Sequence, residues 1–287
     1  MKSFLPIFTV LMAIIALWYG AAVWLNAAWT HDQAARAGIT VSFAEVVTDT
    51  MGQDRPVLPA PHQVAAGLWQ GFAGQAVTSK KSLVYHGWVT LSATLLGFAI
   101  GTGLGILLAV GIVHNRAMDM SVMPWAIASQ TIPILAIAPM VIVVLASVGV
   151  TGLIPKSIIS AYLSFFPVVV GMVKGLRSPD QMQLDQLRTY SAAPSQTLWK
   201  LRLPASVPYL FTSLKVSIAA SLVGAIVGEL PAGASAGLGA RLLSGSYYGQ
   251  TIQIWSALFA AALLAAALVA IVGGIERRTL TRMGMRT

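Results

Sequence analysis

Few residues in this chain can do chemistry, and their spacing excludes more than it admits. There is no cysteine among the 287 residues, so a thiolate nucleophile, a disulfide framework and a thiolate metal site are all ruled out. His31, His62, His86 and His114 lie far apart, with no paired spacing on one helix face, and a histidine metal site is not expected. No Gly-x-x-x-x-Gly-Lys-Ser/Thr phosphate loop occurs. Glu229 is the only acidic candidate for an intramembrane site, and its expected place is the end of a span. An ionisable group at membrane depth is a functional candidate by default; a structural role at the helix end, paired with Arg241, is the competing reading. The densest charge is in residues 174–215, where Lys174, Arg177, Arg188, Lys200, Arg202 and Lys215 face only Asp180 and Asp185. A polar, helix-forming passage between apolar blocks suits a docking loop at a membrane surface better than a catalytic centre.

The composition explains why chemistry is so sparse. The chain is 56% hydrophobic and only 9% charged, with mean hydropathy +0.76. Soluble domains carry about 25% charged residues, so this is an integral membrane protein in a lipid bilayer. The net charge of +9 fits the excess of Lys and Arg in cytoplasmic loops, and no nucleic-acid partner is expected.

Taken in order, the apolar runs predict six membrane-spanning helices. About 20 apolar residues cross a bilayer, and Leu5–Ala27 reads as an uncleaved first span. Ala27-Ala28 also fits a cleavage site, which leaves a removed signal peptide open. Residues 28–82 are mixed and polar. Within them Pro61 suits a first helical turn, and Val64, Leu68, Trp69 and Phe72 recur on one helix face. That helix lies either on the outer membrane surface or against its own bundle. The second span covers about Leu83–Val113, where Gly97, Gly101 and Gly105 leave one face bare for close packing. The third, within 120–155, is interrupted by Pro133 and Pro139. Ser129, Gln130 and Thr131 before the break either line a pathway or bond to a neighbouring helix. The fourth runs about Lys156–Val173, the fifth about Pro208–Val227 with Lys215 snorkelling to the headgroups, and the sixth about Ile252–Gly273. With both termini inside, every Lys and Arg except Arg36, Arg55, Lys80, Lys81, Lys156 and Arg241 falls inside. That two-to-one bias supports the orientation.

The register of the polar loop resembles that of permease subunits of binding-protein-dependent ATP-driven (ABC) importers. Their pattern is Glu-Ala-Ala, three residues, Gly, nine residues, an aliphatic residue, any residue, then Leu-Pro. Counting back from Leu203-Pro204 puts Leu201 at the aliphatic position, Ser191 at the Gly, and Asp185, Gln186 and Leu187 at Glu-Ala-Ala. The register fits without gaps, while Asp, Gln, Leu and Ser depart from the family's residues. TIPILAIAPMVIVV, GVTGLIPKSIISAYLSFFPVVVGMVKGL and GELPAGASAGLGARL resemble other family segments, and LPAPHQVAAGLWQGF resembles the nitrate/sulfonate/taurine branch, which also includes permeases for pyrimidine thiamine precursors.

The resemblance implies an all-α, six-helix type I importer permease in the bacterial inner membrane, with both termini cytoplasmic. It implies a first helix at 1–27, a periplasmic segment with an amphipathic helix at 28–82, and a five-helix core at 83–287 with a coupling loop at 178–207. Asp185, Leu187, Tyr190, Ser191, Ala192, Leu198, Trp199, Leu203 and Pro204 would couple to the ATPase, with Leu187, Tyr190, Leu198, Trp199 and Leu201 filling a groove on it. Gln130, Thr131, Pro133, Met140 and Glu229 would belong to the substrate pathway. The chain itself would be non-catalytic and hold no cofactor. ATP and Mg would sit on two P-loop ATPase subunits, and the other partners would be a second permease copy, as a homodimer, and a periplasmic substrate-binding protein. An ATP-independent channel or secondary transporter is the alternative, although internal repeats and midplane charges are not seen. An intramembrane enzyme is a further one, with Glu229 as its starting point.

Overall fold

The computed structural model describes residues 4–231 and 234–285. Lys2 and Arg286, both assigned to the inside above, and residues 232–233 of the glycine-rich loop lie outside the described residues. Every described element is a helix. They are α1 (Phe4–Ala37), α2 (Phe43–Gly52), α3 (Pro61–Phe72), α4 (Leu83–His114), α5 (Arg116–Ser129), α6 (Ile134–Ser147), α7 (Leu153–Leu176), α8 (Gln181–Thr189) and α9 (Pro194–Thr197). A π-helical turn at Leu198–Arg202 leads into α10 (Leu203–Val227), and α11 (Leu238–Tyr247) and α12 (Thr251–Arg282) follow. Five helices are long and apolar enough to cross a membrane: α1, α4, α7, α10 with its lead-in, and α12. The pair α5 and α6 passes the same test but is bent by 98°, and it stands where the third, proline-broken span was expected. The first and last helices exceed their expected spans, to Ala37 and Arg282. Two compact units result, Met1–His86 with Ala240–Ala261 and Gly87–Gly239 with Ala262–Thr287.

In the first unit, α1 keeps two polar groups, Asn26 and Thr30, inside an otherwise lipid-compatible surface. Asn26 is fully buried. Its amide donates to the Leu58 carbonyl at 2.8 Å and its oxygen accepts from the Val57 N–H at 2.7 Å. Thr30 donates to Asp49 of α2 at 2.6 Å. Helix α2 was not expected, yet its start is written as Ser42-x-x-Glu45, the capping-box signature. The Ser42 N–H donates to the Glu45 carboxylate at 2.7 Å, and that bond lowers the Glu45 pKa. Helix α3 packs differently from its apolar stripe. Val64 and Gly71 are buried, while Trp69 is 74% exposed. The physical reason is close approach. A Cβ at Gly67 would fall 2.5 Å from the Ser256 hydroxyl of α12, and one at Gly71 would fall 2.4 Å from Leu83. The bare glycines, rather than the aromatics, therefore face inward.

In the second unit α7 runs against α4 and α10 along small residues. Cβ atoms at Gly97 and Gly101 would fall 2.3 and 2.1 Å from the Ser160 and Ser164 hydroxyls, and one at Gly105 would fall 2.8 Å from Val168. The glycine face of α4 is therefore a packing face, as the four-residue repeat predicts. Serines then bond across the close contacts, which is the usual way membrane helices associate when burial alone gives no driving force. The Ser160 hydroxyl donates to the Ser221 carbonyl (2.8 Å), that of Ser221 to the Thr94 carbonyl (2.8 Å), and that of Ser217 to the Ser164 carbonyl (2.6 Å). Ala109, Ile112, Val168, Val169, Met172 and Leu176 form an apolar core beside this seam.

Lone charges in this unit find each other instead of the headgroups. Lys215 donates to Glu276 of α12 at 2.8 Å, so it pairs within the protein where snorkelling was expected. Arg177, past the end of α7, pairs with Asp119 of α5 at 2.8 Å. Lys215–Glu276 is the more shielded of the two pairs, while Arg177–Asp119 stays open to solvent.

Candidate functional site

The segment expected to couple is a series of short, capped helices. Asp180 caps α8, accepting from the Gln181 N–H at 3.2 Å, while the Gln183 oxygen accepts from the Asp180 N–H at 3.1 Å. Asp185 is held on the surface of α8 by Arg188 at 2.8 Å and by the Gln181 amide at 3.0 Å. The far end of α8 closes through a Schellman arrangement. The Ala192 N–H donates to the Leu187 carbonyl at 3.0 Å and the Ser191 N–H to the Arg188 carbonyl at 2.9 Å. Ser191 sits between them with φ +53°, and it is the only non-glycine residue with positive φ among the described residues. The motif's glycine position is thus a left-handed position, which is the physical reason glycine suits it.

A prediction follows for this residue. The left-handed backbone costs an L-residue roughly 1–2 kcal/mol, and glycine's extra unfolded-state freedom costs about 0.5–1 kcal/mol. Ser191→Gly is therefore expected to slow amide hydrogen exchange at Ser191 and Ala192 by a few-fold. Ser191→Val, β-branched at positive φ, is expected to speed it. Equal protection in the two variants would remove the strain argument.

Past this turn the Ala193 N–H donates to the Gln196 side chain at 2.9 Å, and Pro194 starts α9. The π turn then feeds α10, with the Leu203 N–H bonded to the Leu198 carbonyl. Two contacts anchor the segment to the bundle. The Arg202 guanidinium donates to the Leu176 carbonyl at 2.9 Å, and Leu198 and Leu203 pack on the core around Val169 and Leu176. Leu198 accordingly turns into its own chain and not outward as a groove-filling residue. Leu187, Ala192, Leu201 and Pro204 are half-buried. No residue of α8 is buried, and Tyr190 and Trp199 are 72% and 70% exposed. A polar helix with two uncovered aromatics, tied at its base to the ends of two spans, can dock on a partner and pass a displacement to the bundle.

The residues named for the pathway divide into two groups. Gln130, Thr131, Pro133 and Met140 are exposed at the α5–α6 break and along α6. The Thr131 hydroxyl donates to the Ala128 carbonyl at 2.8 Å and that of Ser129 to the Ala126 carbonyl at 2.7 Å. Tyr162 of α7 donates to the Ser129 carbonyl. The carbonyls freed by the break are therefore satisfied, which a broken helix at membrane depth requires. The Gln130 side-chain amide donates to the Ser129 hydroxyl at 3.3 Å.

Glu229, by contrast, is 0% exposed. Its carboxylate lies 3.7 Å from Lys156 of α7, accepts from the Gly239 N–H at 3.0 Å and accepts from the Thr90 hydroxyl of α4 at 2.9 Å. Lys156 also donates to the Ala236 carbonyl at 2.9 Å, and Thr90 accepts from the Leu238 N–H at 2.8 Å. The ion-pair partner is Lys156, in place of the expected Arg241. Burial raises the Glu229 pKa to about 7, against the Lys156 charge, the Gly239 N–H and the Thr90 hydroxyl, which pull it down. Gly237, at φ +124°, leaves room for the carboxyl group: a Cβ there would fall 2.0 Å from its carbon. A signal for this pair existed in the sequence. Lys156 is the only charged residue between Asp119 and Lys174, and Glu229 the only one between Lys215 and Arg241. They stand at the start of one span and the end of the next, which antiparallel helices bring to the same side.

Residues 101–283 match the family described as binding-protein-dependent transport system inner membrane component. The chain belongs to this family. It is a multi-pass permease subunit of the inner membrane, serving transport. The riboflavin transport system permease protein RibX of Chloroflexus aurantiacus is 30% identical over 84% of this chain and 83% of its own length. The putative aliphatic sulfonates transport permease protein SsuC of Bacillus subtilis is 24% identical over 78% of this chain and 85% of its own length. Among solved structures, an inward-facing form of the MetNI methionine ABC transporter aligns with TM-score 0.58 at 21% identity, covering 68% of this chain and 95% of that chain. The permease thus has the type I importer fold that the loop register implied.

Proposed function

We propose that two copies of this permease enclose a translocation pathway and that residues 185–204 couple it to cytoplasmic ATPases. The observation that carries the reading is the uncovered Tyr190 and Trp199 on a segment anchored through Arg202, Leu198 and Leu203. ATP and Mg would be held by two P-loop ATPase subunits, whose closure would move the bundles as rigid bodies. A periplasmic binding protein would deliver the solute. In this orientation the loop 178–207 and both termini are cytoplasmic, and residues 28–82 and the loop after Glu229 face the periplasm. Helices α4 to α7 and α10 would line the pathway, with Gln130, Thr131, Pro133 and Met140 at the broken span. The names of the relatives, riboflavin and aliphatic sulfonates, support a small organic solute with an aromatic or anionic part. The test is a pull-down in mild detergent with this chain as bait. A soluble P-loop ATPase is expected to co-purify, in equal number with the permease. A chain that runs alone and transports without ATP would overturn the reading in favour of a channel or secondary carrier.

A further inference from the structure

The first unit contains a cavity of about 560 Å³ between α3, the segment leading to α4, and α11 with the start of α12. That volume is typical of small-ligand sites. Its wall is largely apolar and its charges are one-signed: Arg241 and Lys81 contribute, with Gln70, Gln253 and Ser256 as polar groups, and no Asp or Glu does. Among the described residues neither Arg241 nor Lys81 has an acidic partner, while four other ion pairs form elsewhere in the chain. Arg241 is half-buried and its Nε is shielded without a hydrogen-bond acceptor. Burying a guanidinium without a counter-charge is costly, and burial alone lowers its pKa. The second orphan is Ser256, 4% exposed, whose hydroxyl also has no partner. Gly67 and Gly71 line the cavity without side chains and pack closely against Ser256 and Leu83. Gln253 donates to the Arg241 carbonyl at 3.0 Å and to Ser244 at 2.9 Å, which fixes α11 against α12.

We infer that this cavity binds an oxyanion group, held by Arg241 and Lys81 with Ser256 and the Gln70 amide as further donors. A guanidinium suits a planar or tetrahedral oxyanion through paired N–H bonds, and an uncompensated buried one gains most from it. The anion has two sources, a small soluble solute or the phosphate of an anionic lipid headgroup. The site rests on the first unit alone and is independent of the coupling loop.

The experiment is thermal unfolding of the full chain in a neutral maltoside detergent. One arm adds sodium phosphate against sodium chloride at equal ionic strength. The other adds phosphatidylglycerol against phosphatidylcholine. At about ten times its dissociation constant a bound anion is expected to raise the midpoint by roughly 3–6 °C. Arg241→Gln keeps the bulk and removes the charge; it is expected to abolish the shift, and the exposed Lys81→Gln to reduce it. A shift with phosphate identifies a soluble anion, and a shift with phosphatidylglycerol alone identifies a headgroup. No shift in the native chain from either probe, or equal shifts in native, Arg241→Gln and Lys81→Gln chains, would overturn the site.

Discussion

Replacing Glu229 with Ala is expected to destabilise the permease by about 3–5 kcal/mol, the usual cost of breaking a buried ion pair from one side. Three groups lose their acceptor at once: Lys156, the Gly239 N–H and the Thr90 hydroxyl. The Gly239 N–H and the Thr90 hydroxyl have no water to fall back on, because the carboxylate site is closed, while Lys156 keeps the Ala236 carbonyl. Thermal unfolding of the purified chain measures the loss. Removing Lys156 as well should recover part of it, because the double variant no longer buries an unpaired charge. Additive losses in Glu229→Ala, Lys156→Met and the double variant would show that the two residues do not interact.

The same carboxyl gives a pH readout with a definite sign. Its pKa in the folded chain is raised to about 7, above the ordinary value near 4.3. Proton binding therefore favours the folded state. The stabilisation is fully present below about pH 4 and is lost as pH rises through 7. Lys156 is the one other charged group facing it among the described residues. Glu229→Gln keeps an acceptor for the Gly239 N–H and should cost less than Ala. It should also flatten the decline in unfolding midpoint between pH 5 and pH 8. An unchanged slope would assign that decline to other groups.

The second large effect is expected at the coupling loop, and there it should fall on function and leave stability alone. Tyr190 and Trp199 are mostly solvent-exposed, so truncating them to Ala should change stability by no more than about 0.5 kcal/mol. If they anchor a partner, each is worth about 2 kcal/mol or more of docking, roughly a 30-fold loss of affinity. The Tyr190→Ala, Trp199→Ala chain should therefore fold normally, fail to retain the ATPase and lose solute-driven ATP turnover. Leu198→Ala separates the two roles. Leu198 packs on its own core, so its truncation should cost about 2 kcal/mol of folding stability. Full ATPase retention and turnover in the double aromatic variant would remove these residues from the docking face.

How much of this was legible follows from what each residue needs. The six spans could be read from uninterrupted apolar length, because a bilayer demands about 20 such residues whatever their neighbours. The break near Pro133 was legible because proline removes an N–H wherever it stands. The glycine repeat in α4 predicted close packing, since a bare face has one use in a membrane. The loop register marked residues 185–204 as the candidate coupling segment without any contact being known. Helix α2 was legible in principle from Ser42-x-x-Glu45.

Pairing and direction were not legible, because they depend on which helices become neighbours. Arg241 was the expected partner of Glu229, and the packing of α7 beside the end of α10 selects Lys156 instead. Lys215 meets Glu276 for the same reason. In α3 the apolar stripe left two placements open, and the approach of α12 admits glycine there and turns Trp69 out. Ser191 departs from glycine in the sequence. Its left-handed backbone, set by the Schellman closure of α8, shows why glycine belongs there. Local rules thus determined where the helices lie, how they start and stop, and which residues are chemically available. Tertiary packing decided which charges are compensated and which, as at Arg241, are left facing a cavity, because burial and the dielectric around a charge are properties of its neighbours in space.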